Sequence, residues 1–237
     1  MNPYEYTIKE SLDKFNDGSL KPLTLVESLL DRIDAVEPQL HAWVTVDKST
    51  VMEQAIVGEM EGDGKWKGLQ GIPVGVKDIY YTKDMKTTMG SPIFKDYVPS
   101  QDADMVKIVR EAGGIILGKT ETTEFALHDP APTRNPWNTK HTPRGSSSGS
   151  AAAVASGMCQ VAFGSQTGGS IIRPASYCGI VGVKPTYDLL SRNNVFPLSW
   201  SLDHIGYMTR NVEDACIMFE VLTGEKRVFS VGDTPPR

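Results

Sequence analysis

Apolar and polar positions follow two periods along this chain, and the switches between them mark its elements. Leu25, Leu29, Ile33 and Val36 form one helical stripe, with Thr24 and Glu27 at capping-box spacing before it and Pro38 limiting its continuation. A short strand over Ala42–Val46 leads to a helix around Val51–Met60, and Glu61–Gly68 reads as a polar turn with glycines. The run Ile72–Ile79 is apolar apart from Lys77 and Asp78 near its end. Ala103–Ala112 has helical periodicity, Gly113–Gly114 breaks it, and Ile115–Leu117 reads as a buried strand.

His128–Gly149 holds prolines and small polar residues and predicts an extended loop. A small-residue helix over Ala151–Ser156, strands over Cys159–Phe163 and around Ile180–Val183, and a last helix framed by Asn211, Asp214 and Gly224 complete the pattern. Glu225–Arg237 shows no periodicity. The helix–turn–strand rhythm predicts an α/β fold. It divides the chain into an amino-terminal helical region, 1–65, and an α/β core, 66–237.

Composition adds little to this and removes several function classes. With 237 residues, 40% of them hydrophobic, the chain can bury a core without disulfides or a structural metal. Its net charge of -5, with no dense basic run, argues against nucleic acid as a partner. No apolar stretch is long enough for a membrane span, and the polar amino terminus does not resemble a secretion signal. Cys159, Cys178 and Cys216 are scattered and read as reduced, buried residues of a cytoplasmic protein. His41, His128, His141 and His204 fit neither a zinc site nor a Ser-His-Asp arrangement, and no nucleophile-elbow motif is present. No metal and no cofactor is expected.

Two stretches carry candidate chemistry, Gly145–Ser150 and Gly164–Ser170. Both discard side-chain bulk while keeping hydroxyls and backbone amides, which suits a site that stabilises a developing oxyanion. Serine–glycine runs usually mark linkers, but these two have apolar flanks that place them in a core. Lys77 offers a possible base. As a solvated edge lysine it would do nothing, whereas burial disfavours its ammonium form and frees a neutral amine to take a proton from a serine hydroxyl.

These segments resemble the amidase-signature enzymes. The resemblance rests on Gly71–Asp78, Gly118–Ala126, Gly145–Ala155, Gly164–Ser170, Gly182–Thr186 and Ser201–Gly206, from about Leu69 to Leu222. It implies hydrolysis of a small carboxylic amide through an acyl-enzyme, with Ser170 as nucleophile, Ser146 as a proton relay held by a cis peptide bond, and Lys77 as base. It also implies an oxyanion hole at the amides of Thr167, Gly168, Gly169 and Ser170. Ser148 and Gln166 depart from the usual pattern. Gln166 and Arg173 place the motif closest to a malonamidase-like subgroup, where the matched arginine holds a substrate carboxylate.

The resemblance implies a mixed central β-sheet flanked by helices, and since family members are usually much longer, a truncated fold lacking its carboxyl-terminal half. From that follows the expectation of a homo-oligomer or a complementary carboxyl-terminal chain as partner. An incomplete noncatalytic fragment and the amidase subunit of a tRNA-linked amidotransferase are the alternative functions.

Overall fold

The computed structural model describes residues 1–61 and 68–225. Most of the Glu61–Gly68 segment, and all but the first residue of the Glu225–Arg237 tail, lie outside the described residues.

The chain opens with α1 (Ile8–Asn16) and α2 (Pro22–Leu40). The first is fixed by a capping box in which Glu10 N donates to Thr7 Oγ1 at 3.0 Å and Thr7 N donates to Glu10 Oε2 at 2.8 Å. The box expected at Thr24 and Glu27 does not cap α2, which starts earlier with Lys21 as N-cap and Pro22 at its first turn, where a missing N–H costs no hydrogen bond. Pro38 does not end this helix either. It lies in the last turn, and Leu40 still completes it before His41 adopts a left-handed conformation.

The succeeding elements are β1 (Trp43–Thr45), α3 (Lys48–Glu61), β2 (Pro73–Lys77), α4 (Asp104–Glu111), β3 (Ile115–Thr120) and α5 (Ser148–Ala155). Then come β4 (Val161–Gln166), α6 (Ile172–Cys178), β5 (Val181–Val183), β6 (His204–Thr209) and α7 (Val212–Thr223). The six strands form one mixed sheet in the order β1-β3-β2-β4-β6-β5. β2 is parallel to both β3 and β4, while β1, β5 and β6 pair antiparallel with their neighbours.

Alternating residues of the central strands feed two cores. Val74, Val76 and Phe163 join Phe15, Val106, Val109 and Met218 on one face. Ala162, Leu117 and Met208 join Val26, Ile33, Val51 and Ala151–Ala153 on the other. Both faces of β2 are therefore covered, which accounts for its nearly continuous apolar sequence. The sequence pattern ends β4 too early and starts α5 too late. Gly164–Gln166 belong to the strand, and the serine-rich run Ser148–Ser150 already forms the first turn of the helix. β6 escapes the pattern because Gly206 interrupts its apolar run.

Parallel β2 and β4 finish at the same sheet edge, so the residues at their carboxyl ends emerge side by side. Open α/β sheets hold their ligands at such edges. The amino terminus of α5 is pressed into the same corner. Gly149 N donates to Glu121 O at 2.9 Å, and a Cβ at Gly149 would stand 2.2 Å from Ala42 O and 2.3 Å from Glu121 N. Neither atom belongs to a flexible side chain, so residue 149 must be glycine for the helix to reach the sheet.

Beside this corner lies a buried ion pair, Lys119 Nζ to Asp78 Oδ1 at 3.2 Å, with both side chains fully buried. Lys119 also donates to Tyr80 O at 2.7 Å and to Thr87 Oγ1 at 2.6 Å. Asp78 Oδ2 accepts from Thr88 N at 2.8 Å and from its hydroxyl at 2.5 Å. The pair thus ties the segment after β2 to β3.

Gly149→Ala lowers stability by about 3 kcal/mol, the upper part of the usual overpacking cost, because the clash is with backbone. The midpoint of urea unfolding measures this. A change in ΔG below about 0.5 kcal/mol, typical of an innocuous surface substitution, would contradict the packing described.

Candidate active site

Lys77 is the last residue of β2 and is fully buried. Its Nζ lies 2.7 Å from Ser146 Oγ and 2.8 Å from Ser165 Oγ. Removal from water pushes its pKa down from 10.5 to about 7, with Asp203 pulling weakly the other way. A neutral amine between two hydroxyls can donate to one and accept from the other, which is the geometry a proton relay needs.

Ser146 is also buried, and its peptide bond with Gly145 is cis. The backbone ties this loop to the second small-residue segment. Ser147 N donates to Ser170 O at 3.3 Å, Ser165 N donates to Ser147 Oγ at 3.2 Å, and Ser147 Oγ donates to Ser165 O at 3.3 Å. The two segments, far apart in sequence, therefore form one wall. Ser170 is half-buried and lines a cavity of about 420 Å³ with Gly145, Ser148, Thr167, Gly168 and Arg173. Lys77 lies behind this wall, with Ser146 between it and the Gly145 edge of the cavity.

Side chains at both ends hold the turn carrying Ser170. Gln166 Oε1 accepts from Ile171 N at 3.0 Å and Ile172 N at 3.1 Å. Thr167 Oγ1 donates to Asp203 Oδ1 at 2.5 Å, and Arg173 N donates to Gly169 O at 2.9 Å. None of these bonds uses the amides of Thr167, Gly168, Gly169 or Ser170, so the turn is braced without spending the donors beside the cavity. Arg173 is exposed, and its guanidinium lies against Gly169, where an added Cβ would meet Nη2 at 2.9 Å.

Three contributors escape sequence reasoning. Ser165 carries no signal beyond its place in the second motif. Gln166 is legible only as a departure from aspartate. Asp203 looks like half of a pair with His204, yet the two diverge, Asp203 taking Thr167 and the amides of Leu198 and Ser199 while His204 contacts Leu202 O. Cys178 is buried, and burial pushes its thiol up to about 12, which leaves no thiolate for nucleophilic attack at neutral pH. Of the histidines, His128 lines the cavity.

The sign of the Lys77 shift has two measurable consequences. Between pH 7 and 10.5 the unfolded chain keeps a proton on Lys77 that the folded chain has released, so this residue makes the fold more stable as pH rises across that window. Lys77→Met therefore unfolds at higher urea than the parent at pH 7, and the difference narrows toward pH 10. A parent and variant whose urea midpoints differ equally at both pH values would contradict a depressed amine.

A family model described as Amidase matches residues 24–235. The glutamyl-tRNA(Gln) amidotransferase A subunit of Syntrophus aciditrophicus is 43% identical over 231 residues, 94% of this chain and 48% of the relative. The protein of the same name from Exiguobacterium sibiricum is 43% identical over 230 residues, 94% of this chain and 48% of the relative. Among solved structures, native peptide amidase from Stenotrophomonas maltophilia superposes with a TM-score of 0.87 at 34% identity, covering 97% of this chain and 52% of that one. The glutamyl-tRNA(Gln) amidotransferase A subunit from Thermotoga maritima superposes with a TM-score of 0.80 at 38% identity, covering 94% and 47%. The chain spans about half the length of the curated relatives it matches.

Several expectations are corrected by these findings. The relatives are amidotransferase A subunits by name, which overturns the assignment to a malonamidase-like subgroup drawn from the Gln166 and Arg173 positions. The expected reach of the resemblance, from about Leu69 to Leu222, gives way to a match that takes in the amino-terminal helices as well. The exclusion of nucleic acid also fails, since the relatives carry glutamyl-tRNA(Gln) in their names; net charge averages over a chain and says nothing of surfaces that other proteins supply. No helix among the described residues is long and apolar enough to cross a membrane. By the reach of the family match and the identity of its relatives, the chain belongs to the amidase-signature family of hydrolases.

Proposed function

We propose that this chain hydrolyses a primary amide at Ser170 and releases ammonia, as the amidase part of a glutamyl-tRNA(Gln) amidotransferase-like assembly. The observation that carries the chemistry is the buried Lys77 amine, 2.7 Å from Ser146 Oγ on the wall that also bears Ser170. In this reading Ser146 passes its proton to Lys77 Nζ as it takes the proton of Ser170. Ser170 Oγ then bonds to the amide carbon, and the carbonyl oxygen becomes an oxyanion facing the turn amides.

The same proton returns through Ser146 to the leaving nitrogen, the carbon–nitrogen bond breaks, and ammonia departs. Water attacks the resulting ester, its proton takes the same route, and the acid leaves Ser170 free. A turn braced by Gln166 and Asp203 supports this role, because oxyanion donors stabilise charge best when already in place. Arg173, at the cavity, pairs with the substrate's own carboxylate.

The amidotransferase context is supported by the names of the relatives and by their identity to this chain. A free-standing amidase is the second reading, favoured by the likeness to peptide amidase. Ammonia release from glutamine separates them. In an amidotransferase component it rises when the partner proteins and glutamyl-tRNA(Gln) are added, and in a free amidase it does not change.

Ser170→Ala lowers ammonia release by about 10⁴-fold or more, the scale on which removal of a nucleophile acts. A serine-directed fluorophosphonate forms its adduct at Ser170 in the parent, located by peptide mass spectrometry. Unchanged turnover in the variant, or an adduct on another serine, would reject the assignment. Since only the neutral amine can accept a proton, kcat/KM falls about tenfold per unit below pH 7 and levels off above it.

A further inference from the structure

The loop before α5 and the end of α6 carry a surface unlike the rest of this acidic chain. Residues 130–187 contain no aspartate or glutamate, yet include Arg134, Lys140, Arg144, Arg173 and Lys184. Among the described residues Arg134, Lys140 and Arg144 take part in no ion pair. Cations without counter-charges on one loop attract a polyanion across a Debye length.

Two aromatic residues stand exposed on this surface, Trp137 at 75% and Tyr177 at 51%, and both are held in place. Trp137 Nε1 donates to Cys178 O at 2.7 Å, and Trp137 N donates to Asn135 Oδ1 at 2.9 Å. Asn135 Nδ2 in turn donates to Tyr177 O at 3.0 Å. These bonds tie the loop to the end of α6 and fix the two aromatic residues relative to each other. The Arg144 guanidinium lies over the Tyr177 ring, 5.5 Å from its centroid, which steadies the cation without neutralising it. Asn135, Trp137, Asn138, His141, Arg144 and Tyr177 line a groove of about 400 Å³. Trp137 also lines a second groove, of about 210 Å³, that includes Arg32. Among the described residues no aspartate or glutamate lines either groove.

Fixed, exposed rings beside uncompensated cations suit a ligand that is both planar and anionic. An acidic peptide would meet the cations and leave the rings in water, and a duplex hides its base faces. An unpaired nucleic-acid strand offers phosphates and open bases together. We propose that this groove binds single-stranded RNA, with a base stacked on Trp137 and phosphates paired with Arg144 and Lys140. The choice of RNA rests on the amidotransferase reading, whose relatives carry glutamyl-tRNA(Gln) in names that assign the RNA to no surface. The groove adjoins the Ser170 cavity through Thr142 and Arg144, which line both.

The test uses the full chain and three fluorescein-labelled probes followed by anisotropy: a short RNA strand, its duplex, and a polyglutamate peptide of equal charge. The strand binds at least about tenfold more tightly than the duplex or the peptide, since it alone can both stack and pair. Trp137→Ala weakens strand binding at least about fivefold, the lower end of what one stacked base contributes. Trp137→Phe, which keeps a ring but not the Nε1 donor, retains the parent affinity. Lys140→Gln lowers the slope of log affinity against log salt by about 0.7, the value of one phosphate contact on a single strand. A duplex or peptide bound as tightly as the strand, or a Trp137→Ala variant with the parent affinity, overturns the proposal. So does a Trp137→Phe variant as weak as Trp137→Ala, which would make the residue's role structural. Adduct formation at Ser170 and the response of ammonia release to added partners are read separately, so failure here is distinguishable from failure of the amidotransferase reading.

Discussion

An amine removed from water must either find partners or lose its proton, and Lys77 does both. Its two serine contacts engage two of its three hydrogen-bonding positions, and its burial makes the neutral form accessible near pH 7. Much of the surrounding architecture serves this single placement. Parallel β2 and β4 bring Lys77 and Ser165 to one edge, α5 approaches closely enough to deliver Ser146, and Gly149 removes the side chain that would keep the helix away. The Lys119–Asp78 pair fixes the segment that leaves β2 at the same point. A buried pair of this kind is weak evidence of net stability, but the breaking of one partner strands the other, so it constrains where the segment can go.

The chemistry is legible in the sequence wherever residue type and spacing alone carry it. Two runs of small residues with apolar flanks and a lysine in an apolar stretch point to an oxyanion site with a base, the family resemblance picks out Lys77, Ser146 and Ser170 within them, and the fold sets Lys77 against Ser146 and the two runs against each other. Elements whose boundaries depend on tertiary contact are not legible. Pro38 reads as a terminator because an isolated helix would suffer its missing N–H, whereas here only the last turn lies beyond it. β6 carries too little apolar alternation to declare itself and exists because it completes the sheet between β4 and β5. Ser165, Gln166 and Asp203 act through positions far apart in sequence, and no local pattern distinguishes them from ordinary polar residues.

Charge misleads in one place and informs in another. The net charge of -5 points away from a nucleic-acid partner, yet the relatives carry glutamyl-tRNA(Gln) in their names. A whole-chain sum hides local fields, and the cavity at Ser170 shows how far they can differ, being lined by two arginines within an acidic chain. The field that matters for a substrate is set by groups within a Debye length, about 8–10 Å at ordinary salt.

The protonation state of Lys77 tests the account most directly. Lysine labelled with ¹⁵N, followed by the Nζ chemical shift across pH 5 to 11 and assigned by the signal lost in Lys77→Met, reports it without any substrate. A Lys77 signal that titrates near pH 7 is the expected result. One that stays protonated until about pH 10, as a solvated lysine does, would remove the base from the site.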